Sequence, residues 1–167
     1  MAAAFSASDR WFAGIALACI AAVGAALVSQ HVFDMQPCPW CVLQRVIFLA
    51  IAVACVIGLL WRGLLGRRVG ASLGLVLALC GIAAALWQHF KAAASASCNL
   101  TLADKIVSRW LGLDQLLPDV FEARASCADA AVSLLGVPYD FWSLALFALI
   151  AWQLIRLLRL RRRAGGM

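Results

Sequence analysis

Four stretches of this chain run almost without charge: Trp11 to Val28, Val46 to Trp61, Val69 to Trp87 and Phe141 to Ile155. Each predicts a helix that crosses a bilayer, for at a rise of about 1.5 Å per residue a crossing needs roughly 20 residues. The second and fourth reach that length once their flanks are counted, with Val42 to Gln44 extending one and Arg156 snorkelling from the end of the other. The expected spans lie at about 11–29, 42–61, 69–89 and 141–158, with loops at 30–41 and 90–140. The predicted fold class is an all-α membrane protein, a single domain over 1–167 built as a four transmembrane helix bundle. Both long loops leave the same end of that bundle. In the second, Leu116, Leu117, Val120 and Phe121 suit a short helix lying at the membrane interface.

Two processing signals compete for the first stretch. Arg10 precedes an apolar run that ends in small residues near Ser29, as in a cleaved signal peptide, and Ala16-Leu17-Ala18-Cys19 loosely resembles a lipobox. The run is long for the apolar part of a signal peptide, and it continues well past Cys19. A membrane span is the better account.

Composition agrees with the pattern. Of the 167 residues, 65% are hydrophobic and 13% charged, whereas a soluble domain is about half apolar and about a quarter charged; mean hydropathy is +0.95. A chain this size cannot hide so much apolar surface inside itself, and the surplus needs lipid. The charge is unevenly placed. The end of the bundle holding the N-terminus, the 62–68 connection and the C-terminal tail carries Arg10, Arg62, Arg67, Arg68, Arg156, Arg159, Arg161, Arg162 and Arg163 against Asp9 alone. The other end carries Arg45, Lys91, Lys105, Arg109 and Arg124 against Asp34, Asp104, Asp114, Asp119, Glu122, Asp129 and Asp140. Short loops rich in Lys and Arg stay in the cytoplasm, so both termini are expected there and both long loops outside. The formal net charge of +6 is thus a topology signal with an affinity for anionic lipid. It lacks the interleaved aromatic platforms of a nucleic-acid surface, and no nucleic-acid partner is expected.

That topology divides the seven cysteines. Cys19, Cys55 and Cys80 fall inside spans, where a thiol acts as a small hydrophobe in the packing. Cys38, Cys41, Cys98 and Cys127 fall in the outer loops, facing an oxidising compartment in which disulfides persist. Four are enough for two pairs, and structural staples remain the plain alternative. Cys38-Pro39-Trp40-Cys41 is a C-x-x-C at the mouth of the second span, a spacing that serves redox exchange or half of a metal site. Cys98 and Cys127 are too far apart in sequence, with no histidine near them, to give zinc a good second half, and no metal is expected.

Pro39 confines Cys38 to extended backbone and suits the first helical position, so the second helix begins there and Cys41 lies in its first turn. Unpaired amides and the positive end of the helix dipole favour a thiolate at such a place. Arg45 follows four residues later on the same helix face, where a guanidinium has either a snorkelling role or a site role; Gln44 beside it is left unassigned. His31 and His89 lie near the outer surface, and two histidines on separate spans raise a b-type haem as a rival cofactor, though haem leaves the four outer cysteines unexplained.

Four spans, a short outer loop with C-x-x-C and a long outer loop with a widely spaced second pair resemble the disulfide bond formation protein B family. The strings Cys38-Pro39-Trp40-Cys41-Val42-Leu43-Gln44-Arg45, Gln88-His89-Phe90, Pro118-Asp119-Val120-Phe121 after Cys98, and Cys127 carry the resemblance over nearly the whole chain. It implies a bacterial inner-membrane protein-dithiol:quinone oxidoreductase. In that relay a reduced periplasmic DsbA-like partner of thioredoxin fold gives electrons to the Cys98 and Cys127 pair, which passes them to Cys38 and Cys41 and on to ubiquinone or menaquinone. The resemblance further implies that Cys98 forms the mixed disulfide with the partner, that Cys127 exchanges with Cys38, and that Arg45, His89 and Cys41 adjoin the quinone. Lys91 to Ser97, with four alanines and two serines, suits the loop movement such a relay requires. Quinone reductases of the vitamin K epoxide reductase type also combine four spans with C-x-x-C, but their motif sits near the end of the span sequence, not ahead of the second span.

The topology is open to test. After reduction, Cys98 and Cys127 should react in intact cells with a membrane-impermeant thiol reagent while Cys19, Cys55 and Cys80 stay unlabelled. Labelling of Cys55 would contradict the span assignment.

Overall fold

In the computed structural model, which describes residues 7–61, 63–92, 102–130, 133–134 and 136–164, each charge-poor stretch is the middle of a longer helix. These are α1 (Ala7–Val32), α2 (Pro39–Leu60), α3 (Leu64–Trp87) and, last in the chain, α7 (Tyr139–Ala164). All four are long and apolar enough to cross a membrane, and the protein is a multi-pass membrane protein. The helices overrun the expected spans because local chemistry carries them on. Helix α2 starts at Pro39, whose fixed φ suits the first helical position, behind an extended Cys38 at φ −86° and ψ 166°. Helix α3 starts at Leu64, five residues before the expected boundary, so Arg67 and Arg68 are helical. There Arg67 bridges to the start of α1, its Nη2 2.7 Å from Asp9 Oδ1 and its Nη1 donating to Ser8 Oγ at 2.8 Å.

At the opposite end α3 loosens into a π-helical turn, Gln88–Ala92. The long loop is more structured than a single interfacial helix. It contains α4 (Leu102–Asp104) running into a π-helical turn at Lys105–Trp110, then α5 (Leu113–Leu116) and α6 (Pro118–Phe121). A two-residue antiparallel pair, β1 (Ser133–Leu134) with β2 (Val137–Pro138), leads into α7. The apolar residues of α5 and α6 split between two tasks: Leu116 and Leu117 are exposed, while Phe121 is buried against the bundle. Cys98 and the 93–97 approach to it lie outside the described residues.

Helix α2 is the centre of the bundle. It packs on α1 and α3, and α3 packs in turn on α7, whereas α1 and α7 scarcely touch. Where lipid tails are as apolar as leucine, helices associate by close packing, which small residues permit. Accordingly α3 buries Gly66, Gly70, Ala71, Gly74, Ala78, Gly81, Ala84 and Ala85. A methyl group added at Gly70 would stand 2.8 Å from the Ala54 carbonyl oxygen and 2.9 Å from Gly58 Cα, and one at Gly81 would stand 2.5 Å from the Phe147 ring. Phe147 stacks on Phe48 of α2 with ring centroids 4.0 Å apart. Outward faces stay apolar, with Leu17, Ile20, Val53, Val76, Leu149 and Trp152 exposed, as a lipid-facing surface requires. Cys19 and Cys55 are fully buried, but Cys80 is exposed on α3, so the packing role expected for all three holds for two.

Gly70→Ala should destabilise the fold in detergent by about 1–3 kcal/mol, the usual cost of forcing atoms into a packed contact, and lower its melting temperature. Gly14→Ala, whose added methyl meets nothing within 4 Å, should not. Equal melting temperatures for the two variants would show that α2 and α3 do not approach as described.

Candidate active site

The C-x-x-C pair sits on the first turn of α2. Cys38 is the residue before the helix, and its sulfur accepts the Cys41 backbone N–H at 3.3 Å, taking one of the four amide donors that a helix start leaves unpaired. The Cys38 and Cys41 sulfurs lie 2.9 Å apart as thiols. Closing that separation to a disulfide of about 2.05 Å takes a side-chain adjustment and no refolding.

The long loop brings a third sulfur to this pair. Backbone N–H groups of Arg124 and Ala125 both donate to the Pro37 carbonyl, at 3.0 and 3.2 Å, docking the loop on the residue before Cys38. Cys127, three residues on, is buried. Its sulfur makes hydrogen bonds with the Cys38 thiol and with the Trp40 backbone N–H. The Cys38 thiol holds the Cys127 thiol below its ordinary pKa, helped by the Trp40 amide and opposed by burial and by Cys41. Cys38 itself is pushed up, first by its bond to Cys127, then by its bond to Cys41 and by burial. Of these two, Cys127 is therefore the readier to lose its proton and Cys38 the readier to keep it. The arrangement also corrects the labelling expectation for Cys127, which a bulky reagent reaches only when the loop lifts.

Helix ends supply the polar groups. Gln88, the first residue of the π-helical turn that follows α3, points its Nε2 at the Cys41 sulfur, 3.3 Å away. Gln44 Nε2 donates to Gln88 Oε1 at 2.7 Å. Arg45 is buried and ties two elements to α2: its Nη1 donates to Gln30 Oε1 of α1 at 2.8 Å and to the Val120 carbonyl of α6 at 2.9 Å, and its Nη2 to the Ala26 carbonyl of α1 at 3.4 Å. Ion pairs among the described residues join Arg67 to Asp9 and Arg124 to Asp119 and Glu122, with none at Arg45. A snorkelling arginine would keep its head in water. This one is held inside by neutral acceptors.

A cavity of about 520 Å³ opens between α1 and α7, where those helices fail to meet. Ala22, Ala26, Phe48, Trp142, Leu146 and Leu149 give it apolar walls, and Cys41, Gln44, Arg45, Gln88 and Asp140 gather its polar groups. Such a size and such a balance suit an apolar small molecule with a few polar atoms. His89 is not on the wall. Its Nδ1 lies 2.8 Å from Asp140 Oδ2 and its ring packs against Phe90 and Phe141, so it meets the cavity wall through Asp140. His31 is exposed at the end of α1, and among the described residues no cluster of three or more His, Cys, Asp or Glu is placed to hold a metal ion.

Of the residues singled out from sequence, Cys38, Cys41, Cys127 and Arg45 converge, His89 stands one residue removed, and Cys98 lies outside the described residues. Gln44, Gln88, Gln30 and Asp140 were missed as site residues. Only Gln44, at the register between Cys41 and Arg45, had a local signal.

A family model for disulfide bond formation protein DsbB matches residues 8–156. Relatives named disulfide bond formation protein B share 33% identity over 159 residues in Aromatoleum aromaticum, covering 93% of each chain, and 32% over 142 residues in Herminiimonas arsenicoxydans, covering 84% of this chain and 89% of that one. Disulfide bond formation protein B 1 of Pseudomonas savastanoi pv. phaseolicola is 36% identical over 145 residues, 85% of this chain and 84% of its own. The chain belongs to the disulfide bond formation protein B family.

The contact between loops predicts a specific cross-link. In a Cys41→Ser variant, mild oxidation should join Cys38 to Cys127, detectable as a linked peptide pair by mass spectrometry. Recovery of Cys38 in no such peptide would mean that the loop does not dock on α2.

Proposed function

From its membership of this family and the cavity that ends on the Cys41 sulfur, we propose that the protein is a thiol:quinone oxidoreductase of the bacterial inner membrane that regenerates a periplasmic, DsbA-like dithiol oxidase. The observation that carries the reading is the junction itself: a chain of three sulfurs whose last member borders a largely apolar cavity between two membrane helices. The excess of arginine at the opposite end supports an orientation with both termini in the cytoplasm.

The exchange runs along the sulfurs. The partner's thiolate attacks Cys98 of an oxidised Cys98–Cys127 pair and releases the Cys127 thiolate, which its hydrogen bonds from Cys38 and Trp40 favour. When Cys38 and Cys41 are joined, Cys127 attacks the Cys38 sulfur, forms the Cys38–Cys127 bond and expels the Cys41 thiolate. The Gln88 amide and the charge of Arg45 are in place to receive that anion. The partner's second thiolate then resolves its mixed disulfide, freeing Cys98, and Cys98 displaces Cys38 from Cys127. Two electrons rest on the reduced Cys38 and Cys41.

A quinone bound in the cavity would accept two electrons and two protons, matching what the dithiol gives up. The residues fit such a group. Nε and one N–H of Nη2 on Arg45 have no acceptor among the described residues, and Arg45 lines the cavity, so donors remain for a carbonyl oxygen. The apolar walls exclude water, and the gap between α1 and α7 admits a lipid-soluble molecule from the bilayer.

Purified protein given a reduced thioredoxin-fold partner should reduce quinone, and partner oxidation beyond one turnover should require it. Arg45→Met removes a charge-assisted hydrogen bond worth about 1.5–3 kcal/mol, which predicts a roughly tenfold to hundredfold rise in apparent quinone KM. Arg45→Lys, with a compact ammonium in place of the planar fork, should weaken quinone binding more than it slows thiol exchange. Single-turnover oxidation of the partner should survive in both variants. Turnover independent of quinone would overturn the proposal.

A further inference from the structure

We propose that Gln88 is a positioning residue that holds the Cys41 sulfur in its thiolate form through the side-chain amide, and that Gln44 fixes that amide in the required orientation. An amide has two ends, and only the NH2 end stabilises an anion. Gln44 Nε2 donates to Gln88 Oε1 at 2.7 Å, which occupies the carbonyl end and turns Nε2 toward Cys41 Sγ at 3.3 Å. Rotating Gln88 by half a turn would set its carbonyl oxygen against the sulfur and its NH2 against the NH2 of Gln44. Both side chains are buried, Gln44 at 4% and Gln88 at 7% exposure, so water offers no substitute partner and the local dielectric strengthens the contact.

The position is one that Arg45 does not fill. Its guanidinium is drawn toward Gln30, Ala26 and Val120 and acts on the sulfur through its charge, whereas Gln88 touches it. The other titratable or charged groups around Cys41 are Cys38 beside it, Cys127 from the loop, and Tyr139 and Asp140 of α7 across the cavity. The Cys38 thiol meets the same sulfur first, at 2.9 Å, and Gln88 adds an amide donor from a different helix. The inference deepens the proposed function, resting on the reading that Cys41 is the thiolate expelled during exchange, and it gives Gln44 and Gln88 a place in that step.

The test follows Cys41 itself. Full-length protein in detergent is reduced, alkylated with iodoacetamide across a pH series, and mapped for modified Cys41 peptide by mass spectrometry. Gln88→Leu should move the midpoint of the profile up by about one pH unit, with roughly tenfold slower alkylation near pH 7. Gln44→Leu should move it the same way by less, and the Gln44→Leu/Gln88→Leu double variant should match Gln88→Leu alone, because Gln44 acts only through Gln88. If Gln88→Leu does not assemble, Gln88→Met, closer in length and shape, reads the same quantity. An unmoved midpoint in a folded Gln88 variant overturns the proposal, and additive shifts in the double variant overturn the orienting role of Gln44. Failure of the wild-type protein to reduce quinone would sink the proposed function and leave this comparison standing. Normal quinone turnover with an unmoved profile would sink this inference alone.

Discussion

The structure depends on one charge that cannot reach water. Arg45 lies in the first half of α2 and is buried, and an ionised group in such a place is tolerated only when hydrogen bonds offset much of its lost hydration. The chain supplies three acceptors from two elements: Gln30 and the Ala26 carbonyl from α1, and the Val120 carbonyl from α6. The contact fixes how α1 leans on α2 and where the long loop lies. Gln30 extends the tie, donating to the Asp119 carbonyl at 3.2 Å. With α6 pinned there, the strand of chain from Glu122 to Cys127 is short enough to dock on Pro37. The same cation thus ties α1 and α6 to α2 within one turn of Cys41.

What was legible in the sequence is what depends on neighbours along the chain. The spans follow from uninterrupted apolar runs. The start of α2 follows from Pro39, the placement of Cys41 from C-x-x-C spacing, and the shared face of Cys41 and Arg45 from a four-residue step. Contacts made across the bundle left no such trace. Gln88 reads as an ordinary polar residue at a helix end until α3 sets it beside α2, and 44 positions separate it from its partner Gln44. Asp140 counted as one of seven acids at its end of the bundle, yet the packing of α3 on α7 pairs it with His89. Helix α3 was expected to begin at 69 because Arg67 and Arg68 looked like loop residues. Arg67 is helical because Asp9 and Ser8 of α1 receive it, a tertiary partner that no local pattern reveals.

The cavity follows from an imbalance in the packing. The buried small residues of α3 draw it tightly against α2 on one side and α7 on the other, so three helices form a close-packed slab. Helix α1 joins that slab mainly through α2, by contacts such as Phe12 against Gly58, where an added methyl would stand 3.0 Å from the ring, with Arg67 of α3 tied to its first turn. A fourth helix packed chiefly on one neighbour leaves a cleft on its other side. The cleft lies between α1 and α7, and because α2 forms its back wall, the residues at its deep outer end are those of the first turns of α2: Cys41, Gln44 and Arg45. Had α1 packed equally on α7, the Cys41 sulfur would be sealed from the bilayer and a lipid-phase acceptor would have no approach to it. Small residues on α3, far from any sulfur, thus help decide whether the proposed chemistry has an entrance.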